Sequence, residues 1–545
     1  MLAAFTAATA IYLRPFAAMA GDHLLPDRGD PLFNLYILQW TARQWSLGFA
    51  DLWNAPFFFP ATATLTLSDH LIGPGLLFLV VDRLVGNPIA TYNLLLAAAF
   101  PATGVATYWF LRRSSASVAG SLIGAAALTF APFRWMHLGH IQILLMPLTP
   151  LVLWTFDRLL VERTVQRGGL FLLTYLPHLA GGCYIAYMTH LPLAVLAFTR
   201  LWREPRDFLR LRTLALLGTV ALVCGAAIAG LFLPYARAAE RQQRERRAPE
   251  ISTNAASAKS FFTTSHRSRY QPLDLIQPEH RRRSRDEQGL FPGIAAVLLA
   301  PVGLVAWLKS RRSRRHAAWE AALLVGAAVA LVLTFATPYL LAARVLPGLS
   351  GMRVPARFVA VAWPAFALLV ALGADALQRP LGRRLRSLLA ALLFALVLVA
   401  EAPRPVRWVK LETPAEIPAL HHWLGSPEAS AVQAVVELPL QRNALGTLAM
   451  HRSTVHWKPI ANGFSGYQPP TFIELADSFR RFPGAPAFAI LRRQGITHLM
   501  APRLRGRETW EREFLGREIE LTRSEGGWRL YRVLPTAPVA VQAGG

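Results

Sequence analysis

Eleven apolar stretches fill most of the first 402 residues of this chain, at 1–20, 89–111, 116–133, 143–160, 169–186, 188–202, 211–235, 290–308, 317–337, 356–378 and 386–402. A helix of about 20 apolar residues crosses a bilayer because its backbone N–H and C=O groups are all satisfied within the segment. Stretches of this length and number exclude a single soluble core. They predict an α-helical multi-pass membrane protein with about eleven transmembrane helices. The 53% hydrophobic and 16% charged composition and the mean hydropathy of +0.33 agree. The pair between Gly169 and Trp202 is the tightest: its turn near Gly181, Gly182 and Tyr184 leaves little room for two helices, and one of them is alternatively re-entrant.

A net charge of +25, from 57 Lys+Arg against 32 Asp+Glu, would suggest nucleic-acid binding in a soluble protein. In a membrane protein, basic residues in short loops instead mark the cytoplasmic side. Five short loops fall on one side by alternation: Arg112 and Arg113; Arg158, Arg163 and Arg167; Arg200 to Arg212; Lys309 to Arg315; and Arg379 to Arg386. The N-terminus is then cytoplasmic, and loops 21–88 and 236–289 lie outside. This requires residues 70–86, interrupted by Pro74, Asp82 and Arg83, to rest at the outer interface. Loop 236–289 is rich in arginine, including Arg281, Arg282, Arg283 and Arg285, but long loops obey the charge rule poorly. Ala18-Met19-Ala20 resembles a signal-peptide cleavage site. The segment lacks a basic leading region and Arg14 interrupts it, so it reads as a retained span. Cys183 and Cys224 lie in apolar runs and imply neither a disulfide nor a cysteine metal cage.

Residues 1–402 thus form a transmembrane domain, and 403–545 a small extracytoplasmic α/β domain. In the latter, 432–438, 497–501 and 528–534 read as strands, and 472–482 and 485–494 as helices. No glycine-rich phosphate loop follows a strand. Residues 457–468, rich in aromatic and polar groups, either meet an acceptor or pack as a loop against the membrane.

The candidate chemistry lies in the outer loops. Asp22, Asp27 and Asp30 follow the first span, where carboxylates sit in water yet lean over the bilayer. Asp27 and Asp30 are alternatively helix caps beside Pro31. Residues 31–45 suit a helix lying in the interface, with Tyr36, Trp40 and Trp45 at headgroup depth. Phe57 to Phe59 and the Asp69-His70 pair suit a pocket wall, or membrane-interface ballast. Arg134, His137, His140 and Gln142 crowd one turn, where polar groups at bilayer depth are costly and usually functional. With an aspartate such as Asp30, His137 and His140 are a candidate divalent-metal pair, magnesium or manganese. Arg353 and Arg357, four apart at a helix start, either grip a phosphate or snorkel to the interface.

With these features, and with the segments FRWMHLGHIQ, EQGLFPG and GMRVPARF, the chain resembles membrane glycosyltransferases of the GT-C superfamily. The resemblance is to the bacterial polyprenyl-phosphate-sugar-dependent group, near YfhO-like membrane proteins. It implies an enzyme of the bacterial inner membrane that transfers a hexose or pentose, with inversion, from a polyprenyl-phosphate donor to a glycolipid or glycan acceptor. Its partners would be membrane lipids, donor and acceptor, with no nucleic acid. By position the resemblance makes Asp30 the catalytic base or metal ligand, with Asp27 second. The next outer loop carries His137 and His140 where relatives often have another carboxylate, which sets the chain apart in metal use. Arg353 and Arg357 would receive the departing phosphate, with Arg134, His137, His140, Gln142, Asp69 and His70 lining the substrate. The alternatives are a transporter or flippase of lipid-linked sugars and a non-catalytic envelope assembly protein.

Overall fold

The computed structural model describes residues 1–114, 116–145, 147–242, 246–264, 267–269, 285–311, 316–503 and 507–535, with 285, 286 and 481 through their backbone. The chain divides into two compact units. The first comprises residues 1–20, 69–78 and 90–408; the second comprises 21–68, 79–89 and 409–545. The second unit is therefore discontinuous, and takes in most of the first long loop together with the C-terminal residues.

All eleven expected stretches are helical over most of their length. Among the described residues, four helices are long and apolar enough to cross a membrane alone: Pro88–Arg113, Val118–Met136, Leu211–Arg241 and Pro355–Gln378. Leu2–Tyr12, Ile294–Ser310 and Ala317–Val332 are apolar but shorter. The first expected span is not continuous, because its helix stops at Tyr12 and resumes only for Phe16–Met19 beyond Arg14-Pro15. Proline cannot donate to the helical ladder, and the residue before it avoids helical geometry. The tight pair resolves into two helices, Val165–Leu179 and Cys183–Arg203. Leu211–Arg241 buries only Thr213, Val220 and Ala238, and it leaves Leu214, Leu222 and Leu233 uncovered. A bilayer covers such a surface.

The centre of the first unit is helix Val359–Gln378, sixteen of whose residues are buried. Glycines set how closely its neighbours approach. A Cβ on Gly303 would overlap the Leu369 carbonyl, and one on Gly373 would overlap the Leu299 carbonyl. Across the other face, a Cβ on Gly120 would lie 2.6 Å from the Ala371 oxygen. Such backbone-to-backbone contact is how membrane helices gain packing energy without a hydrophobic driving force.

The second unit holds two sheets. β1 (His23–Leu24) pairs antiparallel with β2 (Val409–Lys410), which joins the start of the first loop to the C-terminal segment. β3 (Val435–Glu437), β4 (His498–Ala501), β5 (Ile519–Glu525) and β6 (Trp528–Val533) form a sheet in the order β3-β4-β6-β5. β3 and β4 are parallel, and the other pairs are antiparallel. Leu420, Leu424, Val435, Met500, Trp528 and Leu530 form its core.

Helix Asp30–Ser46 is not the interfacial anchor its aromatics suggest, since twelve of its seventeen residues are buried. Trp457 covers Tyr36 and Trp40 at ring separations of 5.4 and 5.5 Å. Protein takes the place expected of lipid, and the 457–468 stretch begins as packing for this helix.

Candidate functional site

In the first unit, three segments far apart in sequence meet around one carboxylate. Pro132 starts a single helical turn, Pro132–Met136, after which the chain presents His137 and His140. His137 Nδ1 lies 2.9 Å from the Phe133 carbonyl, and its Nε2 lies 3.3 Å from Glu287 Oε2. His140 Nε2 is 4.0 Å from Glu287 Oε1. The Glu287 backbone is steadied by its neighbour, because Gln288 Nε2 donates to the carbonyls of Thr253 and Ala255 at 2.8 and 3.1 Å. Arg357 enters from the 3-10 turn Pro355–Phe358, its side chain 6% exposed. Its Nε donates to Glu287 Oε2 at 3.0 Å, and its Nη2 donates to Oε1. This is the fork-to-fork pairing that also recognises phosphate.

Tyr184 and Asp69 support that arginine. The Arg357 guanidinium lies 4.9 Å over the Tyr184 ring, whose hydroxyl accepts from the Arg353 backbone N–H at 3.0 Å. Asp69 Oδ1 accepts from the N–H groups of Cys183 and Tyr184 at 2.5 and 3.4 Å, and so caps helix Cys183–Arg203 from another segment. Gly182 permits this approach, because a Cβ there would stand 3.2 Å from Asp69 Oδ1 and 3.4 Å from the Gln142 side chain.

The charges follow from the contacts. Burial alone would raise the Glu287 pKa, but the charge of Arg357 and the His137 hydrogen bond hold it well below the usual carboxylate range. Burial dominates at Asp69, whose pKa rises despite the Cys183 hydrogen bond and the charge of Arg357. His70 is wholly buried, and burial lowers its imidazole to about 4. Its Nδ1 accepts from the Ile72 N–H at 3.3 Å, while Nε2 has no hydrogen-bond partner among the described residues.

Asp69, His137, His140, Gln142 and Arg357 thus belong to one polar cluster. Arg134, expected beside them, is engaged elsewhere. Its Nη groups donate to Thr103 Oγ1 at 3.0 Å and the Ala99 carbonyl at 3.1 Å, and its guanidinium covers Phe100. It ties the 132–136 turn to helix Pro88–Arg113. Arg281, Arg282 and Arg283 lie outside the described residues, as does the Arg285 side chain. Sequence reasoning missed Glu287 and Tyr184 as members of this cluster. Their only signals were the EQGLFPG segment and the Gly181-Gly182 turn.

The three acidic residues of the first loop fall in the second unit. Asp22 accepts from Lys410 Nζ at 3.0 Å and contacts His23 Nδ1 at 2.6 Å, so it secures the β1–β2 pair. Asp27 is exposed, and its Oδ1 accepts from the Gly29 N–H at 2.7 Å. Its carboxylate is engaged in this local turn. Asp30 is half-buried and occupies the first turn of helix Asp30–Ser46, with Gly29 rather than an aspartate as the cap. Thr447 Oγ1 donates to the Arg28 carbonyl at 2.6 Å, and Arg28 Nε donates to the Lys410 carbonyl at 2.9 Å. The aspartate loop is therefore fixed by the C-terminal segment. Phe57 and Phe58, expected to wall a pocket, are at most 1% exposed, and Phe58 packs on Phe472 at 4.6 Å. They are core.

The expected metal pair does not fit a divalent ion. His137 Nε2 faces Glu287, whose carboxylate is already held by the Arg357 cation, and among the described residues no three His, Cys, Asp or Glu side chains group to hold a metal. A divalent cation beside a buried guanidinium would be repelled.

No protein-family model and no curated protein matches the sequence. Solved structures match in fold. The arabinofuranosyltransferase AftD from Mycobacteria aligns at a TM-score of 0.52 and 16% identity, over 98% of this chain and 41% of that one. This chain thus spans about two fifths of AftD's length. The oligosaccharyltransferase AglB from Archaeoglobus fulgidus, in complex with an inhibitory peptide and a dolichol-phosphate, aligns at 0.45 and 11% identity, over 94% of this chain and 70% of that one. ArnT from Cupriavidus metallidurans, bound to undecaprenyl phosphate, aligns at 0.45 and 12% identity, over 98% and 99%.

Proposed function

Taking a GT-C glycosyltransferase fold as the premise, we propose that this chain transfers a sugar from a polyprenyl-phosphate donor to a glycan or lipid-linked glycan, with inversion. The supporting observation is the buried Arg357 fork in the first unit, flanked by His137 and His140 and backed by Tyr184. It is an oxyanion receptor at the start of a membrane helix. The AftD likeness adds a pentose, arabinofuranose, as the first sugar to test.

The resemblance supplies one role and the polar cluster another. Asp30 takes the proton of the acceptor hydroxyl, whose oxygen attacks the anomeric carbon as the bond to the lipid-phosphate oxygen breaks. Arg357 stabilises the negative charge that the leaving phosphate gains, with the imidazoles of His137 and His140 as further donors when protonated. Asp69 and Gln142 line the same cluster, His70 follows Asp69 in the chain, and Arg353 stands next to it. The acidic loop is proposed to face the extracytoplasmic side of a bacterial inner membrane, as the short-loop charges indicate.

Mass spectrometry of lipid and glycan extracts from a deletion strain, complemented with wild type or with Asp30→Asn, tests this reading. A glycoconjugate that is lost on deletion, restored by wild type and not by Asp30→Asn supports it. Full restoration by Asp30→Asn at normal expression refutes the mechanism.

A further inference from the structure

The second unit contains a cleft of about 870 Å³ that the proposed chemistry does not use. That volume is ample for a ligand of several sugar rings. One wall is the loop 438–443, which directly follows β3, and another comes from helix Arg507–Phe514, which follows β4. Since β3 and β4 are parallel, the cleft opens at their carboxyl ends, where ligands of open α/β sheets bind.

The lining selects the ligand class. Phosphate and nucleotide sites at such strand ends use glycine-rich loops whose N–H groups converge on the anion. Here the loop reads Leu-Pro-Leu-Gln-Arg-Asn, with no glycine and one N–H removed by Pro439. Its cations are also balanced. Arg442 and Arg480 both approach Asp477, at 3.7 and 3.3 Å, and Glu513 stands in the same lining. What remains is the Gln441 NH2 group, whose amide oxygen accepts from Asn443 Nδ2 at 2.7 Å, the Thr509 hydroxyl and an aromatic floor. In that floor Phe479 and Phe482 stack at 4.9 Å, with the Trp510 ring edge-on to Phe482 at 5.5 Å. Amides and hydroxyls above an aromatic floor match the equatorial hydroxyls and C–H faces of sugar rings.

We infer that this cleft binds a neutral oligosaccharide. The loop that lines it also leads to the aspartate loop. It ends at Ala444, and a Cβ placed on Gly29, the residue before Asp30, would lie 4.0 Å from the Ala444 Cβ. A glycan held here is therefore the acceptor chain, bound along its length while its end reaches the base. That acceptor role rests on the glycosyltransferase reading; glycan binding itself does not.

The test uses full-length protein in nanodiscs and saturation-transfer NMR with three neutral probes: an arabinofuranose, a mannose and an N-acetylglucosamine pentasaccharide. Inorganic phosphate is the fourth probe. Saturable binding of at least one pentasaccharide is expected, weakened at least tenfold by Gln441→Ala with Thr509→Ala, both at exposed positions. Failure of all three pentasaccharides, binding that survives the double variant, or binding of phosphate alone overturns the inference. If wild type binds glycan but transfers no sugar, the glycosyltransferase reading fails and the cleft assignment stands. Transfer without glycan binding does the opposite: the cleft assignment fails and the glycosyltransferase reading stands.

Discussion

Arg357 meets Glu287 edge to edge, with both carboxylate oxygens engaged by one guanidinium across 70 residues of sequence. The guanidinium presents the fork that can also pair a phosphate, and here Glu287 fills it.

Replacing Arg357 by lysine keeps the charge and removes the fork. With the donor in hand, kcat/KM is expected to fall by about 10- to 100-fold, or about 1.4–2.7 kcal/mol of transition-state stabilisation. Steady-state transfer in proteoliposomes measures this. A lysine variant within twofold of wild type would mean that the fork is structural only.

Asp27 and Asp30 separate cleanly. Asp27 bonds the Gly29 N–H, so Asp27→Asn is expected to shift stability by no more than about 0.5 kcal/mol and leave turnover nearly unchanged. Asp30→Asn removes the proposed base and should lower kcat by roughly 100-fold or more with little change in thermal stability. Equal effects of the two substitutions, read by turnover and melting in parallel, would contradict the assignment.

The close helix contacts make two glycines intolerant. Gly303→Ala and Gly373→Ala each push a methyl into a facing carbonyl, and overpacking of this kind costs about 1–3 kcal/mol. The melting temperature in detergent should fall for both, whereas Gly218→Ala, with nothing within 4 Å, should leave it unchanged.

The second unit should weaken in acid in two stages. Burial lowers His456 to about 3 and His498 to about 4, against 6.5 for free imidazole. Below pH 6.5 the unfolded chain takes up these protons and the folded one does not, so stability is lost as pH falls from 6.5 to 4. Glu437 and Glu412 act lower down. Burial opposes the charge of Glu437, but His421 and Arg452 prevail; at Glu412 the Arg452 hydrogen bond leads. Their contribution is complete above about 4.5 and lost as pH falls further. Trp528, packed against His421 and Arg452, reports this by fluorescence. Flat stability between pH 7 and 4 would contradict the first stage.

The helices were legible because apolar runs of that length have few other folds, and β3, β4 and β6 because their residues are apolar and β-branched or aromatic. β5 was missed because only its first residue is buried, and its exposed charges are those of an edge strand. His137, His140, Asp69 and Arg357 were each singled out from local chemistry, but their common partner was not. Glu287 lies 150 residues from His137, and no local pattern encodes a contact at that separation. Helix Asp30–Ser46 misled for the opposite reason: aromatic and apolar side chains mark burial without saying whether lipid or Trp457 does the covering.

The three-part origin of the second unit governs when the protein comes into being as it is made. Residues 21–68 leave the ribosome early, yet Trp457, which covers their helix, and Thr447 and Lys410, which hold the Arg28 turn, come hundreds of residues later. A nascent or prematurely terminated chain has its membrane helices but an unfinished aspartate loop. The contacts that hold the Asp30 loop therefore form only after residues 410 to 457 have been made.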